Sequence, residues 1–319
     1  MMESKVDHML GIIRPDMSCL LFLNDLPFTV VSRAKKRIAA GESVTLDNIL
    51  DVMRIRLKGV TVPNNAGLVA LFSAGWRKGL FFDFLPLLDN KPERAYDVEA
   101  TLGQYYAYLH FQQMLAMPDL VWDEFVKQGW FPFISLRQAT IRPMIGAAAE
   151  GNAIDDHLDL IAADTGAALL DQRGEWKTFP ALAEHYDVIE IAQKRYDEGD
   201  FVSVISILFP RIEGIMRTHF GMSGAGKATQ EALLKCVTER AELPQHSQSL
   251  LLPHRFQRFL REVYFAHFDP SNPQGLSRNT VSHGVAPGNL LNKKGAVLAF
   301  LILLQIVALL PRAPSPKPS

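Results

Sequence analysis

Sixteen consecutive residues near the C-terminus, Gly295–Leu310 (GAVLAFLILLQIVALL), carry no charge and one polar side chain, Gln305. A run of this kind has to be covered on every side by something apolar. At 1.5 Å per residue it makes about 24 Å of helix, short of a hydrocarbon core of roughly 30 Å. The expectation is therefore a helix buried in a bundle or in a dimer interface, not a membrane anchor. The first residues, Met1–Lys5, show no basic region leading into an apolar run, so a secretory signal is not expected either.

The chain has 319 residues, which suits two domains. Its 33 Lys and Arg against 34 Asp and Glu exclude a chain-wide basic field, so any nucleic-acid site has to be local. Cys19 and Cys236 are far apart and belong to no Cys/His cluster. That argues against a disulfide framework or a zinc site and for a reducing, cytoplasmic setting. No metal and no cofactor are expected.

Periodicity reads as helix almost throughout. Leu46–Leu57 has apolar residues at 46, 49, 50, 53 and 57, a helical spacing. Asn64–Gly79 reads as a second apolar segment and Tyr96–Met114 as an aromatic-rich helix. Gly59–Val62 is the one short extended piece expected. The basic cluster Arg33–Arg37, with Arg54, Arg56 and Lys58, reads as a solvated surface, and the acidic residues of 151–174 as a solvated helix face. His110 and Trp130 read as packing residues.

Pro180–Glu198 predicts a helix stopped by Gly199, with Asp200 capping a helix over Phe201–Phe220 that Pro210 is expected to kink. Glu213 and Arg217, four apart, predict an ion pair on its polar side. Helices over Thr229–Leu243 and Ser249–Phe268 follow. Gly221–Lys227 has the spacing of a phosphate loop, but Ala228 replaces the hydroxyl that holds magnesium, so it reads as an interhelical loop. The fold expectation is all-α: an N-terminal helical domain over 1–175, with its boundary within Asp171–Thr178, a helical bundle over 176–311, and a disordered tail from 312 to 319.

Between the last two long helices lies Leu276-Ser277-Arg278-Asn279-Thr280-Val281-Ser282-His283-Gly284. It places a permanent cation, an amide and a titratable imidazole within two turns. Arg presents a planar fork of donors to phosphate oxygens. His titrates near neutrality and can move the proton of a ribose 2′-hydroxyl or of a leaving 5′-oxygen. Ser277 is a good helix starter, and the start of a helix favours an anion. The hydroxyls of Ser277 and Ser282, the Glu213–Arg217 pair and His254 are further candidates for substrate contact. His219 and His267 read as structural.

Together with Gly199–Phe201 and Phe209–Gly214, the Arg-Asn-x-x-x-His-Gly pattern resembles the C-terminal HEPN-type domain of bacterial conflict proteins, over about 140 residues from Thr178 to Pro311. Active members of that superfamily are metal-independent ribonucleases in which the Arg and His are catalytic and the Asn assists. The resemblance implies these roles for Arg278, His283 and Asn279. It implies an RNA substrate, a toxin or anti-phage role, and an antitoxin or other regulatory partner. Because 2′-hydroxyl attack needs both a base and an acid and the motif holds one histidine, two motifs facing each other in a homodimer joined through the C-terminal helices are expected. The alternative is a non-catalytic helical module that dimerises or binds RNA or a partner.

Overall fold

The structure is a computed structural model and describes residues 6–88, 93–177, 179–222, 229–238, 249–269, 271 and 275–310. The proposed phosphate-loop look-alike falls largely on 223–228, and the tail on 311–319, outside the described residues. The chain packs into two units. The first comprises residues 6–33 and 51–116 with Ser249 and Leu250; the second takes the remainder, including 34–50. The helix Leu158–Trp176 ends within the segment Asp171–Thr178 where the sequence places a boundary.

The first unit corrects the all-α expectation. Strands β1 (His8–Ile13), β2 (Cys19–Leu23), β3 (Phe28–Ala34), β4 (Ile49–Leu57), β5 (Gly67–Ala74) and β6 (Arg77–Asp83) form a four-stranded sheet in the order β2-β1-β5-β6 and a two-stranded sheet, β3-β4. Leu46–Leu57 is therefore a short 3-10 turn followed by β4, and Asn64–Gly79 is largely strand. Short apolar runs fit both periods, and here β-branched and aromatic content with flanking Gly and Asn decides for strand. Gly59–Val62 is not a strand.

Helix α1 (Val98–His110) lies across these strands, capped by Asp97, whose carboxylate accepts from Ala100 N at 3.0 Å. Leu102 and Leu109 meet Leu10, Ile12, Leu68, Ala70 and Phe72 of the sheet in one core. The approach of helix to strand is close enough that a Cβ at Gly103 would lie 2.5 Å from the Arg54 backbone. Asp51 of β4 is fully buried and accepts from Ser249 Oγ at 2.7 Å and Leu250 N at 3.0 Å. Burial raises its carboxyl above the usual range.

The second unit is helical. After α2 (Gln112–Leu115) in the first unit come α3 (Asp119–Lys127), α4 (Gln138–Glu150), α5 (Leu158–Trp176), α6 (Pro180–Ala183), α7 (Tyr186–Asp197), α8 (Phe201–His219), α9 (Gln230–Thr238), α10 (Pro253–Phe259), α11 (Arg278–Ser282) and α12 (Lys293–Leu309). Asp200 caps α8 as its position predicts, accepting from Ser203 N at 3.1 Å. The segment read as one helix to Phe268 is α10 followed by a π-helical turn, Leu260–Tyr264.

Helix α12 is the centre of this unit. Every residue from Gly295 to Leu309 is buried, against α8 and α5 among others. Its single polar group, Gln305, is satisfied inside: Nε2 donates to Leu251 O at 2.9 Å, and Oε1 accepts from Ile134 N at 3.1 Å. The rest of the chain therefore supplies the cover that so apolar a run requires. Among the described residues no helix is long and apolar enough to cross a membrane.

Candidate functional site

Helix α11 is one short turn, held at both ends by the chain around it. Ser277 is its cap, buried, with its hydroxyl accepting from Thr280 N at 3.2 Å while Thr280 Oγ1 accepts from Ser277 N at 3.0 Å. Ser277 is thus occupied as a cap rather than free for substrate. Five residues are too few for a helix dipole of any weight, so an anion site at the start of α11 is not supported. Leu276, just before it, meets the start of α12 closely: a Cβ at Gly295 would come within 2.6 Å of Leu276 Cδ2 and 3.0 Å of Leu290 O.

Arg278 turns onto α8. Its Nε forms an ion pair with Glu213 Oε2, and the other oxygen of Glu213 accepts from Arg217 at 2.7 Å. The Glu213 side chain is 4% exposed, against 25% for Arg278 and 31% for Arg217. One buried carboxylate thus holds two guanidiniums, one positive charge more than it can neutralise, and both arginines are partly exposed. Glu213 and Arg217 pair as the spacing predicts, and Arg278 is the partner that spacing along α8 cannot reveal.

Asn279 is fully engaged. Its Nδ2 donates to Phe265 O at 3.0 Å and Ala266 O at 3.2 Å, closing the end of the π-helical turn. Its Oδ1 accepts from Gln230 Nε2 at 2.9 Å and Arg278 Nη1 at 3.3 Å. Asn279 therefore orients Arg278 and has no capacity left for a phosphate. Tyr264, wholly buried beside this cluster, donates to Phe209 O, and burial with the neighbouring Glu213 charge holds its phenol well above the usual range. Gln230 carries no motif of its own, and the sequence marks Tyr264 only as part of an apolar helix face.

His283 stands just past the last turn of α11 and is exposed, its ring 5.5 Å from that of Phe268. Among the described residues no hydrogen bond or ion pair joins it to Arg278. Gly284 behind it takes φ +70°, the left-handed conformation that ends the helix. Ser282 is exposed beside it. His254 lies apart, exposed in the first turn of α10, and its neighbours are not open cations. Arg255 pairs with Asp119, and Arg258 with Asp123 at 2.6 Å and Glu262 at 2.9 Å.

A second polar site appears where sequence reading saw only surface. Lys35, from the basic cluster, is buried and donates to Leu136 O at 2.9 Å. Burial lowers its amine to about 8 against the opposing pull of Asp47 and Asp164. Asp164, read as part of a solvated face, is also buried and accepts from Arg137 N at 2.7 Å and Arg137 Nε at 2.6 Å. Lys35, Asp47, Ser135, Arg137, Asp164 and Asp171 line a cavity of about 170 Å³, with the Ser135 hydroxyl buried and lacking a partner among the described residues. No group of three His, Cys, Asp or Glu side chains suited to a metal gathers among the described residues.

No family model matches the chain, and neither the curated proteins nor the solved structures include a match.

Proposed function

We propose that the chain is a HEPN-type endoribonuclease that cuts RNA by internal transesterification, acting in the cytoplasm as a toxin or anti-phage effector under an antitoxin or similar partner. The observation that carries the reading is the pair of guanidiniums on one buried carboxylate, followed on the same short segment by an exposed histidine. The surplus positive charge suits a phosphodiester, and an oriented arginine is ready to meet the extra charge of the pentacoordinate state without reorganising. His283 takes the 2′-hydroxyl proton; the 2′-oxygen bonds to phosphorus, the P–O5′ bond breaks, and the leaving 5′-oxygen takes a proton from water, the hydroxide left behind recovering it from the His283 imidazolium. The products are a 2′,3′-cyclic phosphate and a 5′-hydroxyl. Asn279 acts as a positioning residue through Arg278.

One observation favours the second reading, a non-catalytic helical module that binds RNA or a partner: Arg278 already has a buried partner in Glu213, as a structural arginine would. Purified wild type and His283→Ala separate the two when incubated with total RNA in EDTA. Cleavage that leaves cyclic-phosphate ends and disappears in the variant supports the enzyme. Equal cleavage by both removes His283 from the mechanism.

A further inference from the structure

The four-stranded sheet has two faces, and only one is covered. Leu10, Ile12, Leu68, Ala70 and Phe72 point into the core beneath α1. The register fixes what points the other way, because side chains alternate across a strand. One row runs Leu21, Gly11, Val69, Phe82 across all four strands, and the next runs Leu23, Met9, Leu71, Leu80. A third pairs Cys19, Ile13 and Gly67, with Phe84 packed beside Gly67. Three consecutive rows are free of charge and of polar side chains other than a thiol. Leu21, Leu23, Leu80, Phe82 and Phe84 are each between 41% and 61% exposed.

We propose that this open face is a two-fold interface with a second copy of the same chain. Five of its side chains, each between two-fifths and three-fifths exposed, form a nearly continuous apolar surface across the sheet, and contiguous apolar surface of that kind marks an interaction site. An interface formed by the same patch on both partners has to complement itself. A face with no charge in any of its three rows meets that condition, since stacking it on a copy strands no ion. The net charge of -1 gives two copies little reason to repel. The three rows themselves offer no charge to a strongly charged partner or a lipid headgroup layer; Lys78 lies in the adjoining row beside Ser73, its amine on Val6 O at 3.0 Å. Two such sheets, stacked about 10 Å apart, form a sandwich. The inference stands on the sheet alone and does not depend on the ribonuclease reading.

The test is the mass in solution of the full chain and of a Leu21→Lys/Phe82→Lys variant at micromolar concentration, with thermal unfolding as a check on folding. The expected result is a dimer for wild type, a monomer for the double variant, and an unchanged dimer for Leu120→Lys, a residue 81% exposed on α3. A monomeric wild type, or a double variant that stays dimeric, overturns the proposal. So does a wild-type chain that purifies singly with a different protein on this face. Should the double variant misfold, thiol labelling of wild type decides. Cys19 lies in the third row, so its labelling slows several-fold as protein concentration rises while that of Cys236 does not. Labelling of Cys19 that ignores concentration overturns the proposal equally.

Discussion

Helix α12 and the outer face of the four-stranded sheet are both made of leucine, valine, isoleucine and phenylalanine, yet one is wholly covered and the other largely bare. In α12 the apolar residues are contiguous in sequence, so their need for cover is visible to anyone reading along the chain. On the sheet they are collected from β1, β2, β5 and β6, one or two from each, and the patch exists only after the strands pair. Apolar density along the chain reports what folds inward; an interaction surface assembled across strands is invisible to it.

The sharpest test of that comparison is one phenylalanine from each place. Phe300 in α12 is fully buried, its ring 5.4 Å from Tyr196, whereas Phe82 is 61% exposed. Phe300→Ala should lower unfolding stability by about 3–5 kcal/mol. Phe82→Ala, measured by denaturant at dilution where any dimer has dissociated, should change it by no more than about 0.5 kcal/mol. Similar losses at both sites would erase the distinction. Gln305→Leu probes the polar exception inside α12. It orphans Ile134 N and Leu251 O, and a loss of about 2–4 kcal/mol is expected from two unmet buried groups. A neutral outcome would mean that Gln305 is not what ties those segments to the helix.

The motif repeats the contrast on a smaller scale, with Arg278 turned inward and His283 outward. Arg278→Ala should cost about 1–3 kcal/mol, since it removes one of two guanidiniums from a buried carboxylate that keeps Arg217. His283→Ala should leave stability within about 0.5 kcal/mol of wild type. If His283 proves the costlier of the two, the assignment of structural and exposed roles is reversed. RNA cleavage, read alongside, should fall in both.

Lys35 inverts the lesson, as a charged residue in a basic run that folds inward. Its amine is lowered to about 8 in the folded chain from an ordinary value of 10.5. Between those values the unfolded chain holds more protons, so stability should rise as pH increases from about 8 towards 10.5. Lys35→Met should remove that rise, and an unchanged slope of melting temperature against pH would refute it. On the acid side His185, buried with neither ring nitrogen bonded among the described residues, is held low by burial and by Arg211. Its neutral form is the native one, so its contribution should fade as pH drops below about 6.5. His185→Phe should blunt that fade, the smallest effect of the set.

Much of the second unit was legible because its signals are local. Asp200 caps α8, Gly199 takes φ +77°, and Glu213 meets Arg217 one turn on. The burial of the Gly295–Leu310 run follows from its composition alone. What escaped reading depends on distant residues meeting. The strands of the first unit are short apolar runs that fit a helical period until pairing partners exist. The second guanidinium on Glu213 comes from a residue 65 positions away, and the Asn279 contacts to Phe265 and Ala266 require the π-helical turn to be in place. The four hydrogen bonds that tie Asn279 to Phe265, Ala266, Gln230 and Arg278 likewise join segments that no local pattern connects.

The clamp of Asp51 on Ser249 and Leu250 has a consequence for how this protein comes into being. A ribosome emits β4 about two hundred residues before the groups that satisfy its buried carboxylate. Until those groups emerge, the Asp51 carboxylate of a nascent chain keeps the Val52 N–H of its own strand as donor but lacks the hydroxyl and the amide that accompany its burial. The same holds for any fragment that stops short of residue 249. Completion of the unit that begins the chain is thus deferred until most of the polypeptide has been translated, so a premature stop yields an unfinished first unit rather than a free-standing N-terminal half.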